Sequence, residues 1–333
     1  MLLYICCMKK IFVLFLIPFF LFSQNDKIVD DQQNIFAVFY NVENLFDTID
    51  NPITNDNEFL PTSEKKWDSY KYDYKLNQLE KVFKKIVESK NQKNLPDIIG
   101  LCEVENKLVI TDLLKKPFFK NNNYTIVHKE SPDSRGIDCA ILVSKKYQIL
   151  KTDFIAINNP NESRKTRDIV YCRLRLEDQI VNVFVNHWPS RWGGQEATNY
   201  KRVFVSKVLR KYINQYTSKS DFNLIMGDFN DYPSNESLSE FLVKSDLTNL
   251  MSKPQVSGRG SYNYRGNWNW LDQIIVSSDI SNFELISFGS YENEFMMYTN
   301  KKGETYPSRS FGGNNWYGGF SDHLPIYLKM RLK

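Results

Sequence analysis

The 333-residue chain is poor in the side chains on which zinc sites and disulfide frameworks depend, with three histidines and five cysteines. No HExxH and no CxxC occurs, which excludes the usual zinc-hydrolase and zinc-ribbon patterns. Cys6 and Cys7 precede an N-terminal apolar run, the wrong side of it for a lipid-attachment cysteine. Cys102, Cys139 and Cys172 each lie inside an apolar strand-like stretch (IIGLCEV, DCAILV, IVYCRLRL). An odd count at wide spacing reads as buried free thiols with no chemical task. A dominant charge is lacking too: the net charge of +4 becomes +2 once residues 1–23, which hold Lys9 and Lys10 and no acid, are set aside. That balance neither demands nor excludes a polyanionic partner. There is no internal repeat, low-complexity tract or long linker, so one domain over residues 30–333 is the simplest organisation.

At 42% hydrophobic and 25% charged residues, the composition is that of a soluble globular protein rather than a disordered one. The exception is the start. An apolar run from Ile11 to Phe22 follows Lys9 and Lys10 and closes on Ser23, the layout of a cleaved secretory signal over residues 1–23. The run is too short to cross a bilayer comfortably, so export to the periplasm or the medium is expected over a retained N-terminal anchor. Met8, which opens MKK ahead of the apolar run, is an alternative start.

Short strand patterns alternate with helical stretches, which predicts an α/β architecture. NIFAVFY, DIIGLC and NLIMGD read as buried strands. YTIVH, DCAILV, IVYCRLRL and QIVNVFVN read as consecutive antiparallel partners. A helix is expected between Trp67 and Lys90 on the face Leu76, Leu79, Phe83, Ile86 and Val87. A second is expected from Glu196 to Tyr216 on the face Ala197, Tyr200, Val203, Phe204, Val208 and Ile213.

What the chain does have is a polar residue at the end of nearly every apolar strand. Asn41 and Glu43 follow the first; Glu103 ends IIGLCE; Asn186 and His187 end VNVFVNH; Asp228 and Asn230 lie in GDFN; Asp272 ends NWLD; Asp322 and His323 close GFSDH. One such residue commonly just bonds turn backbone. Six strand ends carrying acids, amides and two of the three histidines call for a cation, because gathered like charges cost free energy unless offset. The oxygen-rich set suits magnesium or manganese, with calcium also compatible. A carboxylate set against an imidazole, with a further acid and amide to aim water, is equipment for metal-assisted phosphoester hydrolysis.

Taken in order, FYNVENLFD, DIIGLCEVEN, VNHWPSR, MGDFNDYP, NWLDQIIV and FSDHLPIYL resemble the endonuclease/exonuclease/phosphatase superfamily, the deoxyribonuclease-like metal phosphoesterases. The resemblance implies a four-layer α/β sandwich, two central mixed sheets flanked by helices, with the site where the loops gather at one end. It makes Glu103 the principal magnesium ligand with Asn41 beside it, Glu43 an auxiliary ligand, and Asp322 a neighbour of the metal. It makes Asp228 and Asn230 the pair that orients water and phosphate, Asp272 and His323 an acid–imidazole dyad, and His187 a contact to phosphate or leaving group. Arg167 is the phosphate contact it suggests in SRKTRDIVYC. Asp138 departs from the family pattern and either reaches substrate or pairs with Arg135, the site being favoured. His128 reads as a solvated strand end.

Trp188, Arg191 and Trp192 flank His187, and Arg265, Trp268 and Trp270 precede Asp272, so both rims of the expected site carry basic and aromatic groups. Trp188 and Arg191 are the substrate-binding candidates there. A nuclease acting on DNA or RNA uses such groups to track a polyanion and stack bases. A sphingomyelinase-type lipid phosphodiesterase would show an exposed apolar hairpin instead, a use also open to the glycine- and aromatic-rich segment 295–317. An inactive phosphate-binding module is the third reading, disfavoured because the acids and both histidines occur together. No obligate protein partner is evident.

Overall fold

A computed structural model describes residues 34–90, 94–121 and 123–333. The secretory leader read into residues 1–23 lies outside them. Twelve strands build two six-stranded sheets: β1 Asn34–Leu45, β2 Ile98–Val104, β3 Tyr124–His128, β4 Asp138–Ser144, β5 Gln148–Ile155, β6 Ile169–Leu176, β7 Gln179–His187, β8 Phe222–Asp228, β9 Leu247–Asn249, β10 Asp272–Ser277, β11 Phe283–Ser290 and β12 Ile326–Leu332. The first sheet runs β11-β12-β1-β2-β4-β3, the second β5-β6-β7-β8-β10-β9.

Alternation along the strands makes the layers. Ile35, Ala37 and Phe39 of β1 face Val181, Val183 and Val185 of β7 in one core between the sheets. Phe36, Val38 and Tyr40 turn the other way onto Leu76, Leu79, Phe83 and Ile86. Those four belong to α1, Ser69–Ser89, which starts where the Asp68 carboxylate accepts from the Lys71 N–H. On the far side, Phe184 and Ile225 meet Val205, Leu209 and Ile213 of α3, Gln195–Tyr216. With α2, Lys107–Leu114, packed through Val109, Ile110 and Leu113 beside α1, this is the expected sandwich of helices, sheet, sheet and helix. Among the described residues no helix is long and apolar enough to cross a membrane.

Two sequence expectations are corrected. β4 and β6 do not pair: the chain leaves the first sheet after Ser144 and enters the second through β5, whose loose alternation in QILKTDFI hid it. The buried face of α3 is not the apolar stripe expected, since Tyr200 is 46% exposed. It is Thr198, Arg202, Val205, Ser206, Leu209, Tyr212 and Ile213. The stripe misled because a polar pair is buried here: Arg202 Nε lies 2.8 Å from Asp231 Oδ2, both fully enclosed.

The topology aims the strand ends at one rim. β1 and β2 are parallel, as are β7 and β8. In the second sheet His187 pairs with Asp228 across β7 and β8, and Asp228 with Asp272 across β8 and β10, which places three polar side chains on adjacent strands at one level. Gly227 lets β7 and β8 approach there, for a Cβ on it would lie 2.4 Å from the Asn186 carbonyl oxygen. Gly227→Ala is therefore expected to destabilise the fold by about 1–3 kcal/mol, read as a lower urea midpoint. An unchanged midpoint would show that the neighbouring strand gives way freely.

Candidate active site

Asn41, Glu103, His187, Asp228, Asp272 and His323 converge on this rim. Asn41 Nδ2 lies 3.3 Å from Glu103 Oε1 and 3.2 Å from Asp228 Oδ2, tying the two sheets together at the floor of the site. Glu103 Oε2 accepts from the Asn44 N–H at 3.0 Å. His187 Nε2 stands 3.6 Å from Asp228 Oδ2 and 3.8 Å from Glu103 Oε1. His323 Nδ1 contacts Asp272 Oδ2 at 2.7 Å, and its Nε2 lies 3.8 Å from Asp228 Oδ2. Asn230 donates its N–H to Asp228 Oδ1 at 2.9 Å and its amide to the Trp188 carbonyl at 3.1 Å, so it fixes the Asp228 rotamer.

Local backbone irregularity delivers these groups. The β1–β2 register shifts between Asn41 and Leu45, and the β2–β4 register between Cys102 and Val104. Glu43, Asn44, Glu103 and Asn230 all have left-handed φ, between 50° and 62°. Such residues cost about 1–3 kcal/mol each and persist where the surroundings over-determine them. A bulge with a left-handed residue turns a side chain out of the strand pleat and into the rim.

Electrostatics separates the two histidines. Burial alone would lower His323, but the carboxylates of Asp272 and Asp228 outweigh it and hold the imidazole well above its ordinary value, hence charged at neutral pH. His187 is pushed well below its ordinary value by burial and by Arg167, Arg135 and His323, and is neutral. Burial raises Asp228 to about 7, with Asp272 and Glu103 adding to the rise while His323 and the Asn230 N–H oppose it. Neighbouring groups with pKa values driven apart are a usual mark of acid–base division of labour. The Asp272 Oδ1 and His187 Nδ1 atoms are buried without hydrogen-bond partners.

The sequence profile of the Endonuclease/Exonuclease/phosphatase family matches residues 36–332. The chain belongs to that family. Its members are metal-dependent phosphoesterases. Solved structures agree on the fold: TDP2 of D. rerio, humanized by 14 mutations, is 13% identical with a TM-score of 0.57 and coverage of 90% of this chain and 99% of that one. An endonuclease/exonuclease/phosphatase family protein from Bacteroides thetaiotaomicron is 14% identical, TM-score 0.56, covering 90% and 98%. A mannosyl-6-phosphatase from the same species is 14% identical, TM-score 0.54, covering 89% and 99%. No curated protein sequence matches the chain.

Several family-derived expectations meet different partners. Glu43 is not brought into the cluster as a ligand: its Oε2 accepts from the Ser310 N–H at 2.7 Å and its Oε1 from Arg309 Nε at 3.2 Å, with Lys75 Nζ at 3.8 Å. Asp322 Oδ2 accepts from the Arg309 guanidinium at 2.9 Å. Asp138 is buried with local partners, accepting from the Ser131 N–H and meeting His128 Nε2 at 2.9 Å, so His128 is a buried pair member and not a solvated end. Trp188 cannot touch substrate through its ring, which is 1% exposed and packed at a tilt of 58° against Phe229. The Arg167 guanidinium donates to Asp133 and the Trp188 carbonyl, and Arg191 to Asn230, Asp231 and Asn235. Both hold loops. Arg309 and Lys75 were missed. Lys75 had a signal, since it stands four residues before Leu79 on the buried face of α1. Arg309 is the sole basic residue between Lys302 and Asp322, inside a segment with no other mark.

Asp272→Asn removes the carboxylate that keeps His323 charged. The His323 titration midpoint, followed by NMR, is expected to fall by at least about one unit, and the alkaline limb of any activity profile to move the same way. A midpoint that does not move would refute this source of the charge.

Proposed function

We propose that the protein is an exported, divalent-metal-dependent phosphodiesterase that hydrolyses nucleic acid by water attack on phosphate. The observation that carries this reading is the convergence of Glu103, Asn41, Asp228, Asp272 and both site histidines beside a row of cavities. One of about 420 Å³ is lined by Asn44, Arg135 and Arg309. A second, of about 210 Å³, shares Arg135 and adds Arg164, Lys165 and Trp192. A third, of about 480 Å³, shares Arg309 and adds Tyr262 and Asp322. Half-exposed arginines between successive cavities, with Trp192 at 89% exposure, suit a strand with spaced phosphates and bases. A solved TDP2 structure of D. rerio, 13% identical with a TM-score of 0.56, holds a single-strand DNA product, in keeping with this choice. A bilayer substrate is disfavoured because the 297–307 hairpin turns through Asn300, Lys301, Lys302, Gly303 and Glu304 rather than an apolar tip.

The donor set fits a hard cation. Glu103 offers a carboxylate at the rim, and the Asn41 amide that it accepts from also lies 3.2 Å from Asp228 Oδ2, so two carboxylates and an amide meet there, while Asp272 Oδ1 behind His323 is left without a partner. When bound, a magnesium or manganese ion would neutralise phosphate charge. Asp228, with its pKa near 7, accepts a proton from the attacking water, and Asn230 holds it in position. The His323 imidazolium, backed by Asp272, stabilises the charge that grows on the phosphate oxygens. Neutral His187 donates Nε2–H to a phosphate or leaving-group oxygen.

A panel of plasmid, linear DNA, RNA and sphingomyelin, each with magnesium, manganese, calcium or chelator, tests the reading. Nucleic acid is expected to be cut, chelator to stop it, and Glu103→Gln to cut the rate at least about a hundredfold. Cleavage of sphingomyelin alone, or full turnover in chelator, would sink it. Export predicts a mature N-terminus after Ser23, by N-terminal sequencing; an intact leader would contradict it.

A further inference from the structure

The segment 295–317, read in sequence as open to either a nucleic-acid or a lipid use, folds into walls. Its 297–299 and 305–307 strands form a hairpin against the 262–264 strand, and the two enclose the cavity of about 480 Å³. Tyr262, Tyr298, Tyr306 and Tyr317 line it, and Arg309 and Asp322 close the end toward the catalytic rim. The Tyr262 ring centroid lies 4.9 Å from that of His323, so the cavity begins where the phosphate site ends. Arg309 is pinned there by Glu43 and Asp322, and its side chain stays 50% exposed.

Asn263 adds an independent sign of a ligand. It lines the cavity and is 6% exposed; its Nδ2 donates to the Thr305 carbonyl at 2.8 Å, which fixes the amide orientation, and its Oδ1 is buried with no partner. A buried acceptor without a donor costs free energy that a ligand N–H would recover. Four phenol rings offer stacking surface, the lone amide oxygen accepts from an N–H, and a cation stands at the phosphate end. A flat heterocycle bearing N–H groups, joined through a sugar to phosphate, satisfies all three.

We infer that this cavity is a subsite for one unpaired nucleobase adjoining the scissile phosphate. The inference rests on the phosphodiesterase reading for its place in a reaction and on the cavity for its chemistry. It makes a frayed or single-stranded end the preferred substrate, because a stacked and paired base cannot enter.

The test separates the two. In the Asp228→Asn background, which blocks turnover, adenosine monophosphate is expected to bind with magnesium about tenfold or more tightly than ribose 5-phosphate. Tyr298→Ala, at a side chain 56% exposed and so safe for the fold, should erase that difference while leaving ribose 5-phosphate binding unchanged, and Tyr298→Phe should restore it. Equal binding of the two ligands overturns the subsite. In the active protein, an abasic residue on one side of the scissile phosphate should lower kcat/KM by a similar factor, and the Tyr298→Ala variant should not sense it. Cleavage indifferent to a missing base on either side refutes the subsite and spares the nuclease reading. Tyr298-dependent nucleotide binding with no cleavage of any oligonucleotide does the reverse.

Discussion

Placing Glu103, Asp228 and Asp272 around one rim is the constraint to which the rest of the structure answers. Two of the three are buried, and carboxylates in a medium of low polarisability repel each other strongly. The protein meets part of that cost internally. The His323 imidazolium sits between Asp272 and Asp228, the Asn41 amide between Asp228 and Glu103, and the backbone N–H groups of Asn44 and Asn230 cap Glu103 Oε2 and Asp228 Oδ1. What stays unbalanced is the burial-raised Asp228 and the orphan Asp272 oxygen. A cleft in that condition is stabilised by whatever positive charge enters it, which is how a structural cost becomes a binding site.

The fold makes the gathering reproducible. Two parallel strand pairs, β1–β2 in one sheet and β7–β8 in the other, send their C-terminal ends to the same edge, as open α/β sheets do where ligands bind. Register then decides which atoms meet, and the bulges beside Asn41 and Glu103 turn those side chains inward. A second tier supports the first. Lys75, wholly buried on α1, donates to Ser310 Oγ and the Phe320 carbonyl at 2.6 Å each, so the helix layer holds the loop that carries Arg309. Glu43 belongs to this tier, joining Ser310 and Arg309.

How much of this the sequence disclosed follows from the physics of each element. The cluster was legible because strands end abruptly, and a polar residue after an apolar run of period two must lie at a sheet rim. Two of the three helices, α1 and α3, followed from periodicity and the pair of sheets from the family resemblance; α2, only eight residues long, was not expected. Side-chain direction beyond the strand was not legible. Trp188 directly follows His187 yet turns into the core, where it joins Phe184, Ile225 and Phe229. Arg167 and Arg191 look like substrate contacts in sequence and are spent on Asp133, Asp231 and loop carbonyls, contacts made across 21 or more residues. The buried Arg202–Asp231 pair likewise defeats a hydrophobic stripe. Long-range polar pairing leaves no periodic trace.

The central claim is that these oxygen atoms share one divalent ion. Diffraction from crystals grown with manganese, collected at the manganese absorption edge, examines it without reference to any substrate. The account requires an anomalous peak in contact with the Glu103 carboxylate, lost in crystals of Glu103→Gln. Well-diffracting crystals with no peak at Glu103, or with manganese bound only beside His128 and Asp138, would contradict it.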